Sequence, residues 1–143
     1  MKKKYTISCN VAQTLNIIGD RWTLLIIHEI FKSKKTYKEL EETLVGIPSN
    51  LLSNRLKELE ENGIITTELY QNHPPRHSYV ITKKGLDLKD VFYSIILWGG
   101  KYLEVCYKEL VEKETGDSVE IRYYNPKTKK ILDYNDVIPK GKK

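Results

Sequence analysis

Asn50, Ser53, Asn54 and Lys57 are the residues of this chain whose types and spacing could do chemistry together. They recur three and four positions apart within IPSNLLSNRLKELEENG, residues 47–63, so on a helix they share one face. That face offers amide, hydroxyl and ammonium groups, concentrated in the first two turns. Such groups read base edges in a DNA major groove. Asn bonds adenine through two hydrogen bonds, Ser bonds either kind of base, and Lys reaches guanine or phosphate. Ser49 adds a hydroxyl at the start of the same helix. Leu52, Leu56 and Leu59 form the opposite face and would seat the helix on a core. Arg55 falls near the apolar edge, which favours a structural or phosphate-bridging role over base reading.

The other reactive groups are sparse. Cys9 has two readings: a thiol at a helix N-terminus, with lowered pKa and raised nucleophilicity, or a small apolar side chain packed at a dimer interface. Lys2, Lys3 and Lys4 lie close enough in sequence to favour the thiolate. Cys106 falls on a helical face with Tyr102 and Leu103, which places it in a core. Two cysteines so far apart make neither a disulfide framework nor a zinc site. His28, His73 and His77 are the only histidines, and the last two flank Pro74-Pro75, so they share no rigid face as a helical metal pair would. No Ser-His-Asp order, phosphate-cradling Gly loop or paired carboxylate is visible, which argues against an enzyme and against a cofactor.

The elements that must position the polar face can be read in order. Ser8 caps a first helix with Val11, Leu15 and Ile18 on its apolar side, broken by Gly19-Asp20. Asp20 caps a second helix, 21–31, whose Trp22, Leu25 and Ile26 make it apolar on most sides and therefore buried. Residues 32–35 are a polar turn. Thr36 caps a third helix with Tyr37, Leu40 and Leu44 inward. Val45-Gly46 turns into the polar-faced helix, opened by Pro48 or Ser49 and closed by Gly63. Two short helices around a Gly-bearing turn form a helix-turn-helix pattern. Lys35, Thr36 and Tyr37 then fall where they could hold DNA backbone.

Beyond Gly63 the period changes. Residues 64–70 and 78–82 read as strands around a turn at 71–76, a hairpin wing with Arg76 near its tip for phosphate or minor-groove contact. From Thr82 one long apolar helix is expected to about Leu110, kinked or split at Gly99-Gly100. Its Val91, Ile95, Trp98 and Tyr102, with Val11 and Leu15 of the first helix, are the candidate dimerisation residues, because so much apolar surface needs a second copy of the chain. Trp22, Trp98 and Tyr102 could alternatively wall a small-ligand site, or be plain core. Residues 119–124 and 130–134 read as a second hairpin of no legible function.

Length and charge bound the rest. The chain has 143 residues, with 24 Lys and Arg against 19 Asp and Glu and a net charge of +5, an excess that permits a polyanion partner. Lys2 to Lys4 and Lys140, Lys142 and Lys143 make both ends basic. No apolar run approaches the roughly 20 residues of a membrane span, and no signal peptide is visible, so a cytoplasmic protein is expected.

Taken in order, several motifs coincide: Cys9, Ile18-Gly19-Asp20-Arg21-Trp22-Thr23, Tyr37 and Leu40, Gly46-Ile47, Leu52-Ser53-Asn54-Arg55-Leu56 through Leu59 and Gly63, Pro74 to Gly85 with Tyr79 and Thr82, and Trp98-Gly99. From Cys9 to about Trp98 the chain thereby resembles the HxlR family of winged-helix transcription regulators, relatives of the MarR regulators. Pro48 stands where the family has Ser, and Asn50 where it has a basic residue. The resemblance implies a mainly α fold with a small β component: a winged helix-turn-helix with a β-hairpin wing and a long C-terminal dimerisation helix region. The new pattern from Ser118 separately suggests one domain over 1–117 and a hairpin extension with a basic tail over 118–143. The resemblance further implies a homodimer on double-stranded DNA, two recognition helices about 34 Å apart on an inverted repeat, and an oxidant, electrophile or small-molecule effector, with Cys9 the thiol candidate. A winged helix that binds protein instead of DNA is the alternative; an apolar face with aromatic anchors would favour it.

Overall fold

The computed structural model describes residues 4–141, so Lys2, Lys3, Lys142 and Lys143 lie outside the described residues. The chain divides into two compact units, up to Lys89 and from Asp90. The first unit holds α1 (Asn10–Ile18), α2 (Thr23–Lys32), β1 (Lys35–Thr36), α3 (Tyr37–Thr43), α4 (Ser49–Glu61), β2 (Ile65–Asn72), β3 (Pro75–Ile81) and α5 (Lys83–Leu86).

Its core is built from the periodic apolar positions. Ile26, Ile27 and Ile30 of α2, Leu40 of α3, Leu52, Leu56 and Leu59 of α4 and Ile65 of β2 are almost fully buried. Each such side chain contributes about 2 kcal/mol of hydrophobic stabilisation. Thr36 and Glu39 form a capping box at the start of α3: the Thr36 hydroxyl accepts from the Glu39 N–H at 3.3 Å, and the Glu39 carboxylate accepts from the Thr36 N–H at 2.7 Å. Those bonds hold the Glu39 carboxyl below its ordinary pKa. Gly46 (φ 90°) and Gly63 (φ 67°) both adopt left-handed backbone, which is what lets the chain turn sharply on either side of α4.

Several local expectations are corrected. Cys9, not Ser8, is the N-cap of α1. The second helix begins at Thr23, two residues late, because the Asp20 carboxylate accepts from the Trp22 N–H at 2.8 Å and holds a turn there. Leu25 is exposed on that otherwise buried helix. Lys35 does not belong to a polar turn: with Thr36, which also caps α3 as expected, it forms β1, a third antiparallel strand in the order β1-β3-β2, with Lys35 opposite Tyr79 and Thr36 opposite Ser78. The wing strands run further than expected, so Asn72 pairs with Pro75 and Arg76 lies in β3 opposite Gln71. The register slips once, between Leu69 and Gln71.

The long helix from Thr82 to Leu110 does not exist as one piece. Thr82 caps the four-residue α5, its hydroxyl accepting from the Gly85 N–H at 3.1 Å, and a separate helix α6 runs from Lys89 to Tyr102. The break is at Asp87-Leu88; Gly99 and Gly100 are helical. Because α6 ends at Tyr102, Cys106 sits on irregular chain and is exposed, not core; its thiol donates to the Lys108 carbonyl at 3.3 Å.

The second unit contains most of α6, the antiparallel hairpin of β4 (Tyr123–Asn125) and β5 (Lys130–Leu132), and a short 3-10 turn at Tyr134–Asp136. The hairpin is shorter than the sequence suggested. Phe92 is the sole buried side chain among the described residues of this unit. A bridge pairs Val111 with Ser118 in this unit.

Candidate nucleic-acid interface

Helix α4 shows one face to solvent and hides the other. Ser49, Asn50, Ser53, Asn54 and Lys57 are all exposed, while Leu52, Leu56 and Leu59 are buried. The polar face is thus a consequence of helical period plus the core beneath it.

Helix α3 holds the start of α4 in place. The Tyr37 hydroxyl donates to the Ser49 carbonyl at 2.9 Å and accepts from the Ser53 hydroxyl at 3.3 Å. The Ser49 hydroxyl donates to a Glu41 carboxylate oxygen at 2.6 Å. Glu41 had no distinguishing signal in the sequence; its partner is eight residues away and meets it only through the turn at Gly46. Asn50 Oδ1 accepts from the Leu51 N–H at 2.9 Å, which leaves its amide nitrogen facing outward chemistry. Asn54 has no hydrogen-bond partner among the described residues. Lys57 is 3.8 Å from Glu61 in an exposed i,i+4 pair, a contact worth only a few tenths of a kcal/mol and easily exchanged.

The residues read as backbone contacts are distributed unevenly. Thr36 spends its hydroxyl on Glu39, donating at 2.8 Å. Lys35 is half-buried on β1, and Arg76 is exposed on β3. Between them in β3 lies Tyr79, opposite Lys35, whose phenol is pushed above its ordinary pKa by burial, then by Glu60 and Tyr37.

Arg55 belongs to neither set. It is seven-eighths buried, with one guanidinium nitrogen 3.2 Å from Asp20 and another bonded to Glu58. It ties α4 to the turn between α1 and α2. An open groove of about 1130 Å³ runs beside this pair, with Tyr5, Leu15 and Asn16 on one wall and Leu51, Asn54 and Glu58 on the other. Trp22, Trp98 and Tyr102 do not line it. Trp22 lies beneath the Arg21 guanidinium at 5.1 Å, and the Trp98 and Tyr102 rings meet on α6 with centroids 5.3 Å apart and planes tilted by 47°.

Cys9 is exposed at the N-terminus of α1. The neutral thiol makes no capping bond, but the backbone N–H groups of Ala12 and Val11 favour its thiolate and lower its pKa from 9.0. Lys4 plays no part in that shift. A lowered acid pKa means the thiolate appears at lower pH. In a Cys106→Ser background, iodoacetamide labelling of Cys9 is therefore expected to reach half its maximal rate at a lower pH than labelling of a cysteine in a short unstructured peptide; an equal or higher midpoint would contradict the N–H stabilisation.

Comparison with known proteins agrees with this architecture. The HxlR-like helix-turn-helix family model matches residues 17–107. Rv3095 of Mycobacterium tuberculosis, an HTH-type transcriptional regulator, is 38% identical over 94 residues, 66% of this chain and 59% of that protein. The chain thus spans about three fifths of the length of this mycobacterial relative. YodB of Bacillus subtilis, also an HTH-type transcriptional regulator, is 33% identical over 108 residues, 73% of this chain and 96% of YodB. The structure of reduced YodB superposes with a TM-score of 0.59 over 68% of this chain and 97% of that one. Diamide-treated YodB has also been solved, with a TM-score of 0.56 at 32% identity, covering 71% of this chain and all of that one. PA1607, proposed to be a transcription factor, superposes with a TM-score of 0.77 at 27% identity, covering 94% of this chain and 96% of that one. A match of that extent takes in most of the stretch after residue 107, where the family model stops. No helix among the described residues is long and apolar enough to cross a membrane. With a family match over most of its length and a helix-turn-helix followed by a β-hairpin wing, this chain belongs to the HxlR-like helix-turn-helix family, and its relatives Rv3095 and YodB are HTH-type transcriptional regulators.

Proposed function

We propose that this chain is a transcriptional regulator that binds duplex DNA sequence-specifically as a cytoplasmic homodimer on an inverted repeat. The observation that carries the reading is the single exposed face of α4 that bears Asn50, Ser53, Asn54 and Lys57 over a buried leucine face. In this reading α4 lies in the major groove and those four residues meet base edges. Ser49, Lys35, Thr36, Tyr37 and Arg76 meet the backbone, where their hydroxyl, N–H and cationic groups position the protein without reading sequence. Val11 and Leu15 of α1 and Val91, Ile95, Trp98 and Tyr102 of α6 are exposed apolar side chains, the kind of surface a second copy covers. Cys9 is the effector-sensing thiol in this reading. Its lowered pKa supports that role, as does the existence of a similar regulator, YodB, in reduced and diamide-treated forms.

Selection of bound sites from random duplexes tests the reading. Enrichment of an inverted repeat with half-sites about one helical turn apart is expected from reduced protein. Diamide should abolish or alter it, and Cys9→Ser should be insensitive to diamide. Failure to enrich any sequence would sink the DNA reading. Asn54→Ala should weaken binding to the selected site by about 1–3 kcal/mol and relax preference at one position per half-site. Unchanged affinity and preference would remove Asn54 from the reading face.

A further inference from the structure

The helix-turn-helix is short of positive charge. Residues 37–62 hold three cations, Lys38, Arg55 and Lys57, against six glutamates. All three cations are already paired: Lys38 with Glu42 at 3.7 Å, Arg55 with Asp20 and Glu58, and Lys57 with Glu61 at 3.8 Å. Duplex DNA is held chiefly by cations that replace condensed counterions at its phosphates. A reading helix embedded in net negative charge therefore depends on cations supplied from elsewhere.

The charge distribution says where they are. Residues 1–120 hold 17 Lys and Arg and 17 Asp and Glu, so they balance. The whole excess of +5 lies in residues 121–143, with seven Lys and Arg against two Asp. Arg122 is neutralised by Glu120 and Asp133, both at 2.9 Å. Lys127, Lys129 and Lys130 are not. They cluster at the turn of the β4–β5 hairpin, exposed and without an acidic partner among the described residues.

The turn holds them together. Asn125 Oδ1 accepts from the N–H groups of Lys127 at 3.0 Å and Thr128 at 3.3 Å, and Asn125 pairs with Lys130 across the strands. Lys129 has φ 56°, the left-handed region where Gly or Asn is usual and a longer side chain is disfavoured. A lysine at that position carries a backbone cost that Gly would relieve, so its charge has to be useful elsewhere. The acidic stretch 104–120, with six carboxylates and two lysines, is adjacent in sequence yet leaves the three ammonium groups unpaired in cis.

We propose that the β4–β5 hairpin is a second basic hairpin that grips the phosphate backbone of duplex DNA through Lys127, Lys129 and Lys130. The inference rests on the DNA-binding reading of α4 and adds to it a sequence-independent contact outside the family-model region.

The test is the salt dependence of DNA binding by the full chain, followed by fluorescence anisotropy for Lys127→Gln/Lys129→Gln/Lys130→Gln beside wild type. Two labelled duplexes are used, one carrying the selected repeat and one scrambled. Each phosphate contact contributes about 0.9 to the slope of log affinity against log salt, so three from each protomer of the dimer contribute about 5.4. Between about 50 and about 200 mM salt, wild type should then lose about 2,000-fold more affinity than the variant. The difference should be equal on both duplexes, with the preference between them and the thermal melt unchanged. Equal slopes for wild type and variant would overturn the proposal. Equal slopes with a changed sedimentation coefficient of the DNA-free protein would assign the lysines to the acidic stretch of a second copy instead. A wild type that prefers neither duplex but still has the steeper slope would keep the hairpin contact and sink the α4 reading. A wild type that binds neither duplex would sink both.

Discussion

Gly85→Ala is expected to destabilise the first unit by about 3 kcal/mol, towards the upper end of what overpacking costs. Gly85 is buried, and a Cβ there would stand 2.3 Å from the Ile64 carbonyl oxygen and 2.4 Å from Ile81 Cδ1. The side chain could move; the carbonyl cannot. Ile64 O accepts from the Thr82 N–H at 3.1 Å and from the Thr82 hydroxyl at 3.0 Å, and the same hydroxyl accepts from the Gly85 N–H. The turn that carries Gly85 is therefore clamped to the very backbone group the new methyl would strike. For a cooperative unit of this size the loss corresponds to a melting temperature lower by roughly 12–24 °C. Gly99→Ala is the control. It lies within α6, and its Cβ would meet only Leu103 Cδ1 at 3.4 Å, so the better helix propensity of Ala should leave the melt unchanged or raise it. Both are read by circular dichroism at one fixed protein concentration. A Gly85→Ala melt within the error of wild type would show that the close approach to Ile64 is not what that position requires.

The second large effect is expected at Arg55. Arg55→Met keeps the stem volume but strips Asp20 of its cation. The side chains of Arg55 and Asp20 are 14% and 16% exposed, so little water can replace the lost partner. Removing one member of a buried pair costs about 3–5 kcal/mol; the residual exposure here puts the expectation at the low end, about 3 kcal/mol. Asp20→Asn retains the oxygen that accepts from the Trp22 N–H. Combined with Arg55→Met it removes both charges, so the double variant should recover a good part of the loss. The double-mutant cycle in urea measures that coupling. Additivity within about 0.5 kcal/mol would mean the bridge between α4 and the α1–α2 turn carries no energy. Because Arg55 spends two of its nitrogens on carboxylates, the double variant should also keep the wild-type salt slope for DNA; a slope lower by about 1.8, one contact from each protomer, would make Arg55 a phosphate contact.

Most of the first unit was legible in the sequence because its signals are local. Thr36 as the cap of α3, the turn at Gly46, the left-handed glycine at 63 and the leucine period 52-56-59 each require only neighbouring residues, and these stand as read; the reciprocal bond from Glu39 and the left-handed φ of Gly46 were added by the structure. The same period alone set the exposed face of Asn50, Ser53, Asn54 and Lys57. The residues that brace this face were not legible. Tyr37 bonds Ser49 and Ser53 from 12 and 16 positions away, and Asp20 meets Arg55 from 35. No propensity records such pairings.

Apolar pattern, by itself, also extended a helix past its end. Residues 82–110 keep a helical period, but Thr82 binds the start of that run to the carbonyls of Gly63 and Ile64, and the chain breaks at Asp87-Leu88. The second helix ends at Tyr102, which turned Cys106 from a core thiol into an exposed one. Strand β1 is two residues long and has no signal of its own; it is a strand only because β3 offers Lys35 and Thr36 an edge. Sequence by itself thus determined the helix-turn-helix, its exposed polar face and the wing, because capping, period and turn glycines act within a few residues. Tertiary structure alone decided where α5 and α6 part, why Gly85 must be glycine and what holds Arg55, because those depend on backbone groups and charges that meet only when distant segments pack.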